Sequence, residues 1–324
     1  MQICNIGFHN NKKIIYLVFI SKLEKRWNPI EYFKTFKNDL GYIYSLDMAR
    51  YNFEFARDGN SKFVEHLSSF NMIYGCSVKQ YLSKNGLGYH YMYNLTIENN
   101  DSKCSFAIGV GLNSLSENKD KGFIEFNPNK CYQLNQFVIF LNQFIEYCSS
   151  FDLVRYDCAI DIPLKRNQVK MIRNLRSNYE YLIEPDKENS KEGQILNNSV
   201  TEYQGRRNHN KFTKLYDKTA ESHLDYDLTR IEFTFERKEI SFENLPKFFV
   251  YDNNIINDFD YQKLTSNEMV IVDLLRNSPD INYYLKNLSY RFRKKIEPYL
   301  CDLVLKLDID LILSVRDVAL SLEF

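Results

Sequence analysis

The sequence lacks several features that would place it quickly. It has no net charge, because 42 Lys and Arg balance 42 Asp and Glu. That balance argues against a protein coated in nucleic acid and leaves room only for local basic grooves. It has no C-x-x-C pair, and its cysteines (4, 76, 104, 131, 148, 158, 301) are odd in number. They read as reduced, mostly buried thiols of a cytosolic, hence cytoplasmic, protein. Its histidines (9, 66, 90, 209, 223) form no H-x-H or H-E-x-x-H pair, which argues against a histidine-built metal centre. No apolar run approaches membrane-spanning length. Lys12-Lys13 followed by Ile14–Ile20 mimics a signal peptide, but Lys22 follows with no small-residue cleavage site. A buried strand is the expectation there.

What is present is ordinary in bulk. The chain has 324 residues, 44% hydrophobic and 26% charged, enough for two domains or one large domain with an appendage. Aromatic content is 15%, nearly all Tyr and Phe. Those rings fill a core, or some of the tyrosines stack on unpaired bases.

Alternation and helical spacing divide the chain. Residues 1–45 read as a strand, a basic turn at Lys22–Arg26 and a helix or irregular piece around Pro29–Asn38. Strands are expected at Arg50–Ala56, Leu87–Ile97, Cys104–Gly111 and Gly122–Asn127. Helices are expected at Ser61–Phe70 and Gln133–Cys148. The next segment repeats this order, with strands at Arg155–Asp161, Val200–Tyr203, Phe212–Lys218 and Leu228–Phe235. A helix is expected at Val169–Leu182, and helical sequence resumes around Glu243–Val250. Arg50-Tyr51 recurs as Arg155-Tyr156, and Ile124-Glu125-Phe126 as Ile231-Glu232-Phe233. The expected fold is α+β, with two pseudo-repeated antiparallel-sheet lobes of β-α-β-β-β-α order and a C-terminal helical module. The boundaries are a 1–45 extension, a non-catalytic lobe at 46–150, a catalytic lobe at 151–255 and the module at 256–324. Glu184–Ser199 is polar and reads as a mobile loop. In the module, Thr265-Ser-Asn-Glu268 resembles a helix N-cap. Tyr284–Leu300 reads as basic helix, a helix-turn-helix-like reader or a cap with a solvated face.

The chemistry concentrates in the second lobe. Alternation puts Lys214, Tyr216 and Lys218 on one strand face, and Arg230, Glu232, Thr234 and Glu236 on another. Arg155, Asp157 and Asp161 project together from a third strand. The first lobe has Phe106-Ala-Ile-Gly-Val-Gly111 where the second has Lys214-Leu-Tyr216-Asp-Lys218, and so lacks a nucleophile. A tyrosine flanked by cations, near carboxylates able to hold a hard divalent ion, suits phosphodiester cleavage. The competing reading is packing for Tyr216, with Arg155 and Arg230 paired to Asp157 and Glu232. Cations cluster at Arg206, Arg207, Lys211, Lys214 and Lys218, and again at Lys286, Arg291, Arg293, Lys294 and Lys295.

The set R-Y-D-x-A-x-D (155–161), T-x-Y-x-G-R (201–206), Y-D-K (216–218) and R-I-E (230–232) resembles the replication initiation factor family. These are the Rep_trans-type initiators of rolling-circle plasmids, with relatives among relaxases of conjugative elements. The basic segment 288–295 is similar to the tail helix common there. The resemblance implies a plasmid initiator that nicks and rejoins origin DNA through a 5′-phosphotyrosine at Tyr216. It implies Mg²⁺ or Mn²⁺ held among Asp157, Asp161 and Glu232, and DNA-binding roles for Arg206 and the C-terminal module. Partners are then duplex origin DNA, its extruded single strand and a host helicase; a homodimer stays open, and no membrane is involved. A relaxase, or a non-catalytic origin-binding regulator, is the alternative. The chain departs from the family in having Lys214 where Arg is common. It also has Asn208 and His209 where a serine often follows G-x-R.

Overall fold

The computed structural model describes residues 14–15, 35–73, 77–82, 89–98, 103–112, 119–173, 181–185, 200–206, 209–237, 242–243, 245–251, 261–278, 280–321 and 323. Their packing divides the chain into two units, residues 1–159, 234–240 and 309–324, and residues 160–233 and 241–308. Among the described residues, no helix is long and apolar enough to cross a membrane.

The first unit is an antiparallel sheet carrying helices. Its strands are β1 (Ile14–Ile15), β2 (Thr35–Lys37), β3 (Ile43–Phe55), β4 (Ser77–Leu82), β5 (Tyr89–Glu98), β6 (Lys103–Leu112) and β7 (Lys121–Phe126), with most of β8 (Cys148–Ile162). The order is β8-β3-β7-β6-β5-β4, with β2 beside β3. Helices α1 (Gly59–Ile73) and α3 (Asn135–Glu146) flank a short α2 (Pro128–Cys131). Thr35–Lys37 is thus strand, where a helix or irregular piece was expected. Phe137, Phe140, Leu141, Phe144 and Ile145 form the buried stripe of α3, as their spacing predicts. Against it pack rings from strand and helix: Phe53 to Phe144 at 4.9 Å, Phe63 to Phe144 at 5.3 Å and Phe106 to Phe137 at 5.0 Å. Each such pair adds about 0.5–1.5 kcal/mol beyond area burial, so much of the aromatic content here is core. The terminal helix, Ile309–Leu320, belongs to this unit, where the Tyr51 hydroxyl donates to the Ala319 carbonyl at 2.7 Å.

The second unit holds two sheets. One continues β10 (Tyr181–Pro185), β11 (Val200–Gln204), β12 (Thr213–Asp217) and β13 (Thr229–Glu236, to Phe233), all antiparallel neighbours in that order. The other is β15 (Leu303–Leu305), β14 (Lys247–Val250) and β9 (Val169–Ile172). Helices α5 (Ser266–Asn277), α6 (Ile281–Leu285) and α7 (Tyr290–Ile296) cover it, around Ile172, Phe249, Val272, Leu275, Leu285 and Ile296. The Thr265–Glu268 capping box starts α5, as expected.

Three expectations fail in this unit. Val169–Ile172 and Tyr181–Leu182 are strand, not ends of one helix. All four residues of β9 are buried, and a strand buried on both faces mimics helical spacing over so short a run. Lys247–Val250 is likewise strand, with Phe248, Phe249 and Val250 buried in succession and Lys247 exposed. Among the described residues, the second lobe therefore does not show the β-α-β-β-β-α order expected of it. Finally, Tyr284–Leu300 is interrupted: Ser289 caps α7 afresh, accepting from the Phe292 amide. Of the segment Glu184–Ser199, the first two residues pair with β11, and 186–199 lie outside the described residues.

Candidate active site

Strands β12 and β13 set the geometry. Lys214 lies opposite Glu232, Leu215 opposite Ile231 and Tyr216 opposite Arg230. Alternation sends Leu215, Ile231 and Phe233 into the core at 0% exposure. The other face gathers Lys214, Tyr216, Arg230 and Glu232. The Tyr216 hydroxyl donates to Glu232 Oε1 at 2.5 Å. Lys214 Nζ sits 3.6 Å from the Tyr216 ring centroid and 3.7 Å from Glu232 Oε2. This is a phenol handed to a carboxylate beside an ammonium, an arrangement in which a proton can leave the phenol and the resulting anion has a cation nearby. Tyr216 itself is only 5% exposed.

Lys218 was expected on the same strand face. It instead opens the short helix α4 (Lys218–Ser222), because Asp217 caps that helix by accepting from the Ala220 amide. Its Nζ still lies 5.9 Å from the Tyr216 ring, and it pairs with Glu221.

Asp161 accepts two hydrogen bonds from Arg230, at 2.6 Å from Nε and 2.8 Å from Nη2. Such fork-to-fork pairs fix both partners. Asp157 lies on the part of β8 that belongs to the first unit. There Arg155 donates to Glu125 at 3.0 Å, and Arg50 lies 3.6 Å from the same carboxylate. So Arg155 pairs with Glu125 of β7 rather than with Asp157, and Arg230 makes its fork to Asp161. Among the described residues, no group of three or more His, Cys, Asp or Glu is placed to hold a metal ion. As arranged, the oxygens of Asp161 face Arg230, and those of Glu232 face Tyr216 and Lys214, so a divalent cation there would have to displace Arg230 and Lys214.

Sequence reasoning missed the brace behind this face. Arg166, 3% exposed, donates to the carbonyls of Val200 and Val169 at 3.0 and 2.6 Å and to Glu202 at 2.5 Å. Lys170 donates to the carbonyls of Arg276 and Ser278 at 2.6 and 2.8 Å. Arg166 falls between the expected elements and Lys170 inside the helix expected at Val169–Leu182, and no local pattern marks either as buried.

The basic clusters are dispersed. Arg206 is exposed just after Gly205, whose φ of +92° turns the chain out of β11. Lys211 is half-buried in the turn before β12, also at positive φ, and Arg207 lies outside the described residues. On α7, Arg291, Lys294 and Lys295 are exposed and Arg293 is half-buried. Lys295 reaches both oxygens of Glu268 at 2.7 Å, and Lys294 lies 3.8 Å from Glu297.

No family model matches the chain, and no curated protein matches it. Among solved structures it is similar to that of a rolling circle replication initiator protein from Geobacillus stearothermophilus. The identity is 14%, covering 80% of this chain and 97% of that one, with a TM-score of 0.34. That likeness is remote.

Proposed function

We propose that the protein starts rolling-circle replication of a plasmid by cutting and rejoining one strand of origin DNA through Tyr216. The observation that carries this reading is the 2.5 Å hydrogen bond from the Tyr216 hydroxyl to Glu232, with Lys214 against both. The phenol oxygen attacks the scissile phosphorus and its proton passes to Glu232. The bond from phosphorus to the 3′ oxygen breaks. Tyr216 is left linked to the 5′ phosphate, and the 3′ oxygen takes a proton from solvent. Lys214 and Lys218 meet the charge that builds on the phosphoryl oxygens. The covalent link conserves the bond, so rejoining needs no nucleotide.

Because Tyr216 is 5% exposed, DNA must displace the Lys214 side chain from its ring to reach the hydroxyl. A Mg²⁺ or Mn²⁺ ion at Asp161 and Glu232 is a separate proposal, which requires those carboxylates to release Arg230 and Lys214. Arg206, Lys211 and the exposed cations of α7 are the proposed contacts to the DNA backbone, with a host helicase to open the duplex. A relaxase of a conjugative element would use the same chemistry with different partners. The burial of Tyr216 favours one further reading, a non-catalytic DNA-binding regulator in which the tyrosine only packs.

Nicking of supercoiled plasmid carrying the protein's own origin separates these. Tyr216→Phe is expected to fold, bind the origin and leave it uncut. Unchanged nicking by that variant removes Tyr216 from the reaction, with Tyr203 the next candidate.

A further inference from the structure

A cavity of about 350 Å³ opens within the second unit between β9, β14 and α7, at the small end of the roughly 300–1,000 Å³ usual for ligand pockets. Arg173, Lys247, Arg293 and Lys294 line it, and Glu297 is the one carboxylate among its described lining residues. Glu297 is shared, since it pairs with Lys247 and lies 3.8 Å from Lys294. The two arginines have no such partner among the described residues: Nε of Arg173 and Nε of Arg293 are both buried without a hydrogen bond. The wall thus carries four cations against one shared carboxylate, a surplus of positive charge that an anion would offset. The rest of the wall is apolar, with Ile172, Phe249, Leu285 and Leu300 at its floor. Tyr290 also lines it and is 57% exposed, with Lys294 Nζ 6.0 Å from its ring centroid.

We infer that this cavity binds one nucleotide, its phosphate between Arg173 and Arg293 and its base against Tyr290 and the apolar floor. The guanidinium fork matches phosphate oxygens, and a phosphate there offsets the surplus of cations in the wall. Inorganic phosphate would leave the floor uncovered, whereas a flat base covers it and stacks on the tyrosine. The nucleotide is either free or one unit of a single strand. The site is distinct from the Tyr216 face and does not depend on the nicking reading.

Calorimetric titration of the full chain with dTMP, thymidine, inorganic phosphate, octanoate and the hexanucleotide (dT)₆ tests it. Binding of dTMP is expected at least about tenfold tighter than thymidine, phosphate or octanoate. Arg173→Gln and Arg293→Gln are each expected to weaken it about tenfold or more. Tighter binding of (dT)₆ than dTMP assigns the site to a strand, and equal binding assigns it to free nucleotide. Where a glutamine variant does not fold by circular dichroism, Arg293→Lys decides, because it keeps the charge and loses the fork. Absence of dTMP binding, octanoate binding as tightly as dTMP, or folded arginine variants at parent affinity overturns the inference.

Discussion

Tyr216 and Glu232 face each other diagonally across β12 and β13, two positions out of register, and their side chains meet at 2.5 Å. Diagonal cross-strand neighbours lie within reach of long side chains, so pairing of the strands is enough to deliver a proton acceptor to the phenol. Glu232→Gln keeps the shape and a hydrogen bond but not the basicity. It is expected to slow cleavage about 10²–10⁴-fold, the usual worth of a general base, with the melting temperature little changed. Single-turnover rates on origin DNA measure this, and a rate within a factor of about two of wild type would remove Glu232 from the proton path.

A divalent cation at Asp161, as proposed, would have to compete with Arg230. Removing the guanidinium with Arg230→Gln is expected to raise Mn²⁺ affinity by about tenfold or more, since the carboxylate oxygens it occupies are released. Electron paramagnetic resonance of free Mn²⁺ reads the change. Affinity that stays the same would place any metal away from Asp161.

Much of the first unit was legible in the sequence, and the reason is visible in particular residues. Phe53, Phe63, Phe137 and Phe144 recur at strand or helix spacing and pack where that spacing points. The strands around Tyr216 were legible too, since Leu215, Ile231 and Phe233 alternate with the polar face. What alternation could not supply is which strand lies beside which. Arg155 sits two residues from Asp157 yet donates to Glu125, thirty residues away. Nor could it resolve Val169–Ile172, where a lysine lies in a fully buried strand because two carbonyls receive its ammonium. The helix start at Lys218 was hidden because Asp217 reads equally as a strand residue and as a cap.

Lys170 gives the stability a pH signature. Burial lowers its pKa to about 8, with the Glu202 carboxylate pulling the other way. The unfolded chain keeps that proton to about 10.4, so between about 8 and 10.4 it binds more protons than the fold. Stability from this residue therefore rises with pH across that window and is lowest below it. In denaturant titrations, wild type is expected to gain on Lys170→Met from pH 8 to 10. A difference that is flat with pH would show that Lys170 titrates alike in both states.

Duplex binding is expected to rest on α7. Arg291 and Lys294 are exposed on that helix, three residues apart and so on one face. The double variant Arg291→Ala, Lys294→Ala is expected to bind origin duplex more weakly. The slope of log K against log[salt] should fall by about 0.9 for each phosphate no longer neutralised. The variant is expected to cut a single-stranded oligonucleotide at the parent rate. Duplex binding unaffected across a salt series would make α7 a packing cap and move recognition to Arg206 and Lys211.

The central claim is that Tyr216 becomes bonded to DNA. Wild-type protein incubated with an oligonucleotide carrying the cleavage site, denatured and digested, can be searched by mass spectrometry for a peptide bearing the 5′-phosphorylated product strand. The adduct is expected on the peptide containing Tyr216, with a free 3′-OH on the other fragment. Cleavage with the adduct on another residue, or with no adduct and a 5′ phosphate released to solvent, contradicts the claim.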